Sequence, residues 1–433
     1  MSRRLLALVV ALTTACAPSS SPPTSRATPI ASASSAPIDR PALRVGTSGD
    51  YPPLSLWKGD HAEGFAPSLL VSFAASERAS LSWARFRWPE LTRDFRSGRF
   101  DVVADGITVR PERSISGRFT VPIARGGAVL LLRRPAWAAR LAGQDPKSAV
   151  VALDRPELRV VVNQGGHLER FTRQILHHAV IRAVPDNAAV RDLLARGEAD
   201  AAMTNTFEAP RWAEGLAGVE RLGPLSRDVT ALWIRADRGE LEERLDEWLL
   251  GEEASGRLDA LRGSTLGAGA GKTAEPVSAL FAAMAERLAL MPFVAADKRR
   301  TGKPIEDRPQ EERVLATATA AVAEAARSRG LAALPPEHVT TFFRAQIEGA
   351  KRLQEKATPD ADAPAFSLQD DLRPAIARID ARIAFLLVRL PRSSRARDER
   401  EVVAEAREDL AESGLDAGSI DAIGKAVAAF GSR

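Results

Sequence analysis

One cysteine, Cys16, stands in 433 residues, so no disulfide can close within the chain. Histidine is nearly as scarce. The five His show no metal-ligand spacing, and the adjacent His177 and His178 would point to different sides of a helix, which gives a metalloenzyme no support. No sign of charge dominates: 60 basic and 56 acidic residues are interspersed, and the formal net charge of +4 indicates neither a nucleic-acid groove nor a polybasic membrane patch. A small anionic substrate suffices as partner, and no residue pattern asks for a cofactor. The apolar run Leu5 to Leu12 is too short for a permanent membrane span. What is present, 45% apolar and 27% charged residues, allows two or three domains with cores of their own.

Residues 1–16 read as an export signal: Arg3 and Arg4, the apolar run, then small residues. LTTAC, ending at Cys16, resembles a bacterial lipoprotein cleavage box, with Thr13 where an aliphatic residue is usual. That resemblance implies a periplasmic protein whose membrane contact is a lipid on Cys16; plain cleavage and secretion is the alternative. Residues 17–41, rich in Ser, Pro, Thr and Ala, form no core and read as a disordered tether.

From Ala42 short β-like runs alternate with amphipathic helices, which implies an α/β sheet over 42–262. Leu43 to Thr47, Phe100 to Thr108, AVLLLRR and Leu158 to Gly166 read as strands whose polar ends lie where such folds bind ligands. All seven Trp fall between Trp57 and Trp248, whereas the chain after Pro276 is Ala-rich and strand-poor. Between them, 263–275 ends in a GKT reminiscent of a phosphate-binding loop. The glycine that motif requires five positions before Gly271 is Leu266, so the stretch reads as a flexible linker.

Six blocks carry a resemblance over Leu43 to Leu261: GTSGDYPPLS, WPELTRDFRSGRFDV, DGITVRPER, NQGG, PDN and MTNTFEA. In this order they resemble the periplasmic amino-acid-binding proteins, two type II lobes hinged about a cleft, and within them the periplasmic cyclohexadienyl dehydratases. The resemblance makes Trp88, Thr108, Arg113, Asn163, Gly165, Gly166 and Asn205 the substrate-binding candidates. Arg113 suits a carboxylate clamp or is a surface Arg; Trp88 is a cleft wall or a core residue. Gly165 and Gly166 let backbone approach a ligand and open a helix whose first amides favour anions. Glu208, among uncharged neighbours, is the expected general acid, with a solvated helix glutamate as the alternative. Asn205 stands where amino-acid-binding relatives usually carry an Asp for the ligand ammonium, Ala66 to Ser68 replaces an acidic pattern, and His167 departs from the dehydratases' small hydroxylic residue.

Over 276–433 the periodicity predicts helices at roughly 277 to 299, 310 to 329 and 336 to 357, then from 367 onward with breaks near Pro391 and Gly414. Met284, Arg287, Met291, Val294 and Lys298 recur at helical steps, so two cations share an apolar stripe, either holding an anion or snorkelling to solvent. AERL, the later A-x-K and the IED turn resemble the secreted, all-helical chorismate mutases. That resemblance implies catalytic roles for Arg287, Lys298, Gln354 and Arg373, acidic partners for the substrate hydroxyl in Asp307 and Glu311, and permits a homodimer through the helices. Gln310 replaces a usual Arg and Ala350 a usual Ser or Thr.

The expected architecture is therefore a two-lobed α/β periplasmic-binding-protein-like domain of type II followed by an all-α chorismate mutase domain. The expected function is conversion of chorismate to prephenate and of prephenate to phenylpyruvate. The alternative is a transporter's solute receptor with an inactive helical appendage.

Overall fold

A computed structural model describes residues 42–133, 137, 141, 143–267, 273–358, 364–393 and 397–431. Cys16 and the tether lie outside them. The first lobe holds a sheet in the order Leu81–Arg85, Leu43–Thr47, Val102–Thr108, Asp228–Arg235, Gly117–Phe119, with Ala124–Gly126 also pairing on Asp228–Arg235. The first three strands are parallel and Asp228–Arg235 runs against them. In the second lobe the order is Val180–Val184, Arg159–Asn163, Ala201–Asn205, Ala128–Leu132, Glu220–Leu222. The central strands begin as apolar runs because packing covers both faces: Val102 to Ala104 and Val161 to Val162 are fully buried.

The chain crosses between lobes on two adjacent segments. The Ala128 amide donates to Ser226 Oγ (2.9 Å), and the Leu225 amide to the Ala128 carbonyl (2.8 Å). A Cβ on Gly127 would lie 2.0 Å from the Ser226 carbonyl oxygen, so the crossing admits no side chain there.

Beyond the lobes run the helices Pro276–Ala289, Met291–Thr301, Arg308–Ser328, Pro336–Lys356, Arg373–Leu387, Glu399–Asp409 and Ala417–Ala428. The single helix expected over 277 to 299 is broken at Leu290, since Pro292 in the first turn of the second piece has no amide to continue the ladder. Leu280, Phe281, Met284, Phe342, Ile383 and Leu386 are fully buried, and their cluster is continuous with Val45, Phe65 and Leu245 of the first lobe.

The expectation of a flexible linker over 263–275 fails at both ends. Helix Arg257–Leu266 runs through its start, and Thr273 and Ala274 are fully buried. The buried Glu253 carboxylate organises this corner: it pairs with Arg262 and accepts from the Ala274 amide (3.0 Å), while Arg262 Nη1 donates to Thr273 Oγ1 (3.2 Å). Arginines fasten the helices to the first lobe. Arg382, buried, bonds Glu286 and the Phe119 carbonyl and lies 3.6 Å from Glu242. Arg378 Nη2 donates to the carbonyls of Ser114 (3.0 Å) and Ile115 (2.9 Å), and Arg125 Nη2 to Asp409 (2.8 Å).

Candidate functional site

The polar strand ends of both lobes meet over a cavity of only about 40 Å³. Trp88, Thr108, Arg113, Asn163, Gly166 and Asn205 line it, as the sequence suggests. Gly165 does not. Its φ of +78° needs glycine, and a Cβ would fall 2.8 Å from Pro89 Cα of the other lobe, so its role is close approach of backbone. Its amide donates to Glu169 Oε2 at 2.8 Å, a carboxylate in the first turn of helix His167–Ile175.

Arg113 sits in the short helix Pro111–Ser116 and donates Nη1 to the Thr108 carbonyl (3.0 Å). Burial, with Arg110 adding, pushes its pKa down to about 10, which leaves it cationic at neutral pH. Trp88 is both wall and core: 7% exposed, it donates Nε1 to Asp50 Oδ1 (3.1 Å) and meets the Tyr51 ring edge-on at 5.5 Å.

Glu208 has no solvent exposure. Asn187 Nδ2 donates to its Oε1 (2.7 Å) and Thr204 Oγ1 to its Oε2 (2.9 Å). Burial outweighs both bonds and raises the carboxyl pKa to about 8, so it is mostly neutral at pH 7. The solvated-glutamate alternative is thereby set aside. Glu208 is not itself on the cavity wall; its neighbours Asn187, Asn205 and Phe207 are. Asn187 also donates to the Asp50 carbonyl across the lobes (3.1 Å). Asn205 shapes the turn that presents Glu208, accepting from the amides of Phe207 (2.8 Å) and Glu208 (3.0 Å), while its Nδ2 bonds the Tyr51 hydroxyl of the other lobe.

Two carboxylates, Asp105 and Asp228, escaped sequence reasoning. Asp105, buried and bonded by Ser55 Oγ and the Ser48 amide (2.8 Å), has its pKa raised by burial to about 7. Its signal was visible, a lone carboxylate inside the apolar strand VVADGIT. Asp228, on the cavity wall, takes His167 Nε2 at 2.9 Å, and His167 Nδ1 faces Arg110. No local pattern links residues so far apart.

In the helices the apolar stripe forms as expected, with Met284, Met291 and Val294 buried. Arg287, 6% exposed, donates Nε to Asp380 Oδ1 (2.8 Å), and its buried Nη1 has no hydrogen-bond partner among the described residues. Gln354 on helix Pro336–Lys356 approaches Met291 Sδ at 3.7 Å, and its buried Oε1 is likewise unpartnered. Buried polar groups left unpaired are costly, which singles out both side chains among their neighbours. Lys298 donates Nζ to the Ile305 carbonyl (3.0 Å); burial lowers its pKa, Asp307 and Glu311 oppose that, and Arg373 adds to it. Arg373 is exposed and donates to Gln369 Oε1 (2.8 Å). Asp307 and Glu311 also have structural tasks. Asp307 caps its helix through the Gln310 amide (3.1 Å), and Glu311 accepts from the Asp307 amide (3.4 Å).

Residues 43–267 match the family model for bacterial extracellular solute-binding proteins, family 3, and residues 278–355 that for chorismate mutase type II. Cyclohexadienyl dehydratase of Pseudomonas aeruginosa is 31% identical over 227 residues, 51% of this chain and 81% of that protein. The L-cystine-binding protein TcyJ of Escherichia coli is 23% identical over 53% of this chain and 84% of its own. Among solved structures, an ancestral amino acid-binding protein, a precursor of cyclohexadienyl dehydratase, aligns with a TM-score of 0.47 and 25% identity over 52% of this chain and 95% of that one. The chain belongs to the bacterial extracellular solute-binding proteins, family 3, and continues into a helical region of the chorismate mutase type II kind.

Proposed function

We propose that this chain is a bifunctional enzyme whose helical part rearranges chorismate to prephenate and whose two-lobed part converts prephenate to phenylpyruvate, water and carbon dioxide. The observation that carries the second activity is Glu208, a buried carboxylic acid kept neutral near pH 7 beside a cleft lined by the half-buried Arg113. In that reading Arg113 holds a substrate carboxylate, and Glu208 gives its proton to the departing ring hydroxyl, which leaves as water. The carbon–carbon bond to the ring carboxylate breaks, its electron pair completes the aromatic ring, and carbon dioxide departs. A receptor for an ammonium ligand has less support, because Asp228 is engaged by His167 and Asn205 by Tyr51.

Chorismate rearranges without nucleophile or proton transfer, so the helical site has only to hold a dianion compactly and stabilise charge on the ether oxygen. Arg287, with a free buried donor, suits the first task; Lys298 and Gln354 suit the second. In this reading the helix Pro276–Ala289 turns Ala282, Ala285 and Glu286 to a groove shared with the lobes, while Arg287 bonds Asp380 of the helix Arg373–Leu387. Prephenate then passes through solvent. Incubating the intact protein with chorismate should yield phenylpyruvate. Tight ligand binding that depends on Arg113, without turnover, would establish the receptor instead.

The family's extracellular character agrees with an export signal, and we read Cys16 as the lipid-modified mature N-terminus. Mass spectrometry finding an unmodified N-terminus beyond residue 17 would reject the anchor.

A further inference from the structure

The charges around the helical site balance too closely for a site that must attract a dianion. Arg287 is matched by Asp380 at 2.8 Å, and the cations of Lys298 and Arg373 share their surroundings with Asp307 and Glu311. The arginines nearest in sequence do not redress this. Arg308 has an 85% exposed side chain paired with Glu306 (3.1 Å), and Arg313 is exposed and bonded to Gln310 Oε1 (2.9 Å). Lys351 differs from both. Its side chain is 17% exposed, its Nζ lies 3.3 Å from Glu311 Oε2 and 2.8 Å from the exposed Glu348, and it stands one turn before Gln354 beside the buried Ile347.

We propose that Lys351 is a positioning residue of the mutase site: it neutralises and turns Glu311, so that one of the two carboxylates around the Lys298 and Arg373 cations no longer opposes an incoming dianion. The inference rests on the mutase reading given above. Without Lys351, Glu311 would repel the substrate's carboxylates across a half-buried site, where charge interactions are screened less than in water.

The test uses the full chain and follows chorismate loss. Lys351→Met should raise KM for chorismate about tenfold while kcat changes by less than about threefold, because the lost term is attraction of the substrate rather than of the transition state alone. Dehydratase turnover of added prephenate should stay within about twofold, since Lys351 and its partners Glu311 and Glu348 do not line the cleft. Lys351→Arg should keep the wild-type KM, and Gln310→Arg placed on Lys351→Met should recover most of the loss by returning a cation beside Glu311. A Lys351→Met enzyme with unchanged KM overturns the proposal, as does a KM defect that neither arginine repairs. Wild-type protein inert toward chorismate would instead overturn the mutase reading itself, an outcome distinct from either.

Discussion

Replacing Glu208 by Gln tests the cleft chemistry with little disturbance of shape. The amide oxygen can keep the hydrogen bond from Asn187, now 2.7 Å from Glu208 Oε1, and the amide nitrogen can donate to Thr204 Oγ1, now 2.9 Å from Oε2, once that hydroxyl rotates. The proton that ionises near pH 8 is lost. General acid catalysis contributes ~10²- to 10⁴-fold, so the barrier to dehydration should rise by about 3 to 5 kcal/mol. Fed chorismate at mildly alkaline pH, where prephenate does not aromatise by itself, the variant should accumulate prephenate at an unchanged mutase rate. In the wild type the dehydratase rate should fall as pH rises through about 8, since only the protonated carboxyl can act. The same proton governs stability. Unfolded, the group ionises near its ordinary value of 4.5; folded, it holds its proton to about 8, so folding takes up a proton between these values and stability declines across that window as pH rises. Glu208→Gln should therefore flatten the fall of Tm from pH 6 toward 8. Full dehydratase turnover in the variant would refute the assignment of Glu208, even with the family membership intact.

Three further outcomes are expected. Arg287→Ala should abolish prephenate formation while circular dichroism and dehydratase turnover persist, since Asp380 is only half-buried and can be hydrated; an active variant would remove Arg287 from the site. Arg382→Leu leaves Glu286 and Glu242 buried without their shared cation and should destabilise the protein by roughly 3 to 5 kcal/mol, less if one acid protonates, lowering one common thermal transition; separate melting of helices and lobes would show that the contact is not structural. With the Asn205 amide committed to Tyr51 and Asp228 to His167, prephenate should be used better than the ammonium-bearing arogenate, and a higher kcat/KM for arogenate would contradict this.

Much of the architecture is local in origin and was readable as such. The apolar runs of Leu43–Thr47 and Arg159–Asn163 form strands because β-branched residues fit a sheet covered on both faces, and the Met284, Arg287, Met291, Val294 series becomes a buried stripe because helical spacing leaves no other choice. Even the break at Leu290 follows from Pro292, although apolar periodicity alone runs through it.

By itself, then, the sequence determined the two-part plan, the strand and helix order, and which residue types could serve as acid or clamp, since each depends on spacing within a few residues. Tertiary structure alone decided what those groups became. Glu208 is an acid near neutral pH only because the fold buries it deeply enough to outweigh the hydrogen bonds from Asn187 and Thr204, and burial enters no local pattern. The 263–275 stretch has the composition of a tether, yet a buried carboxylate at Glu253 pins its far end, and Arg382 reaches Glu286 and the Phe119 carbonyl from opposite sides of the interface. Such pairs join residues tens to hundreds of positions apart, and an unpaired charge is too costly to bury, so the partners became identifiable only once the fold had brought them together.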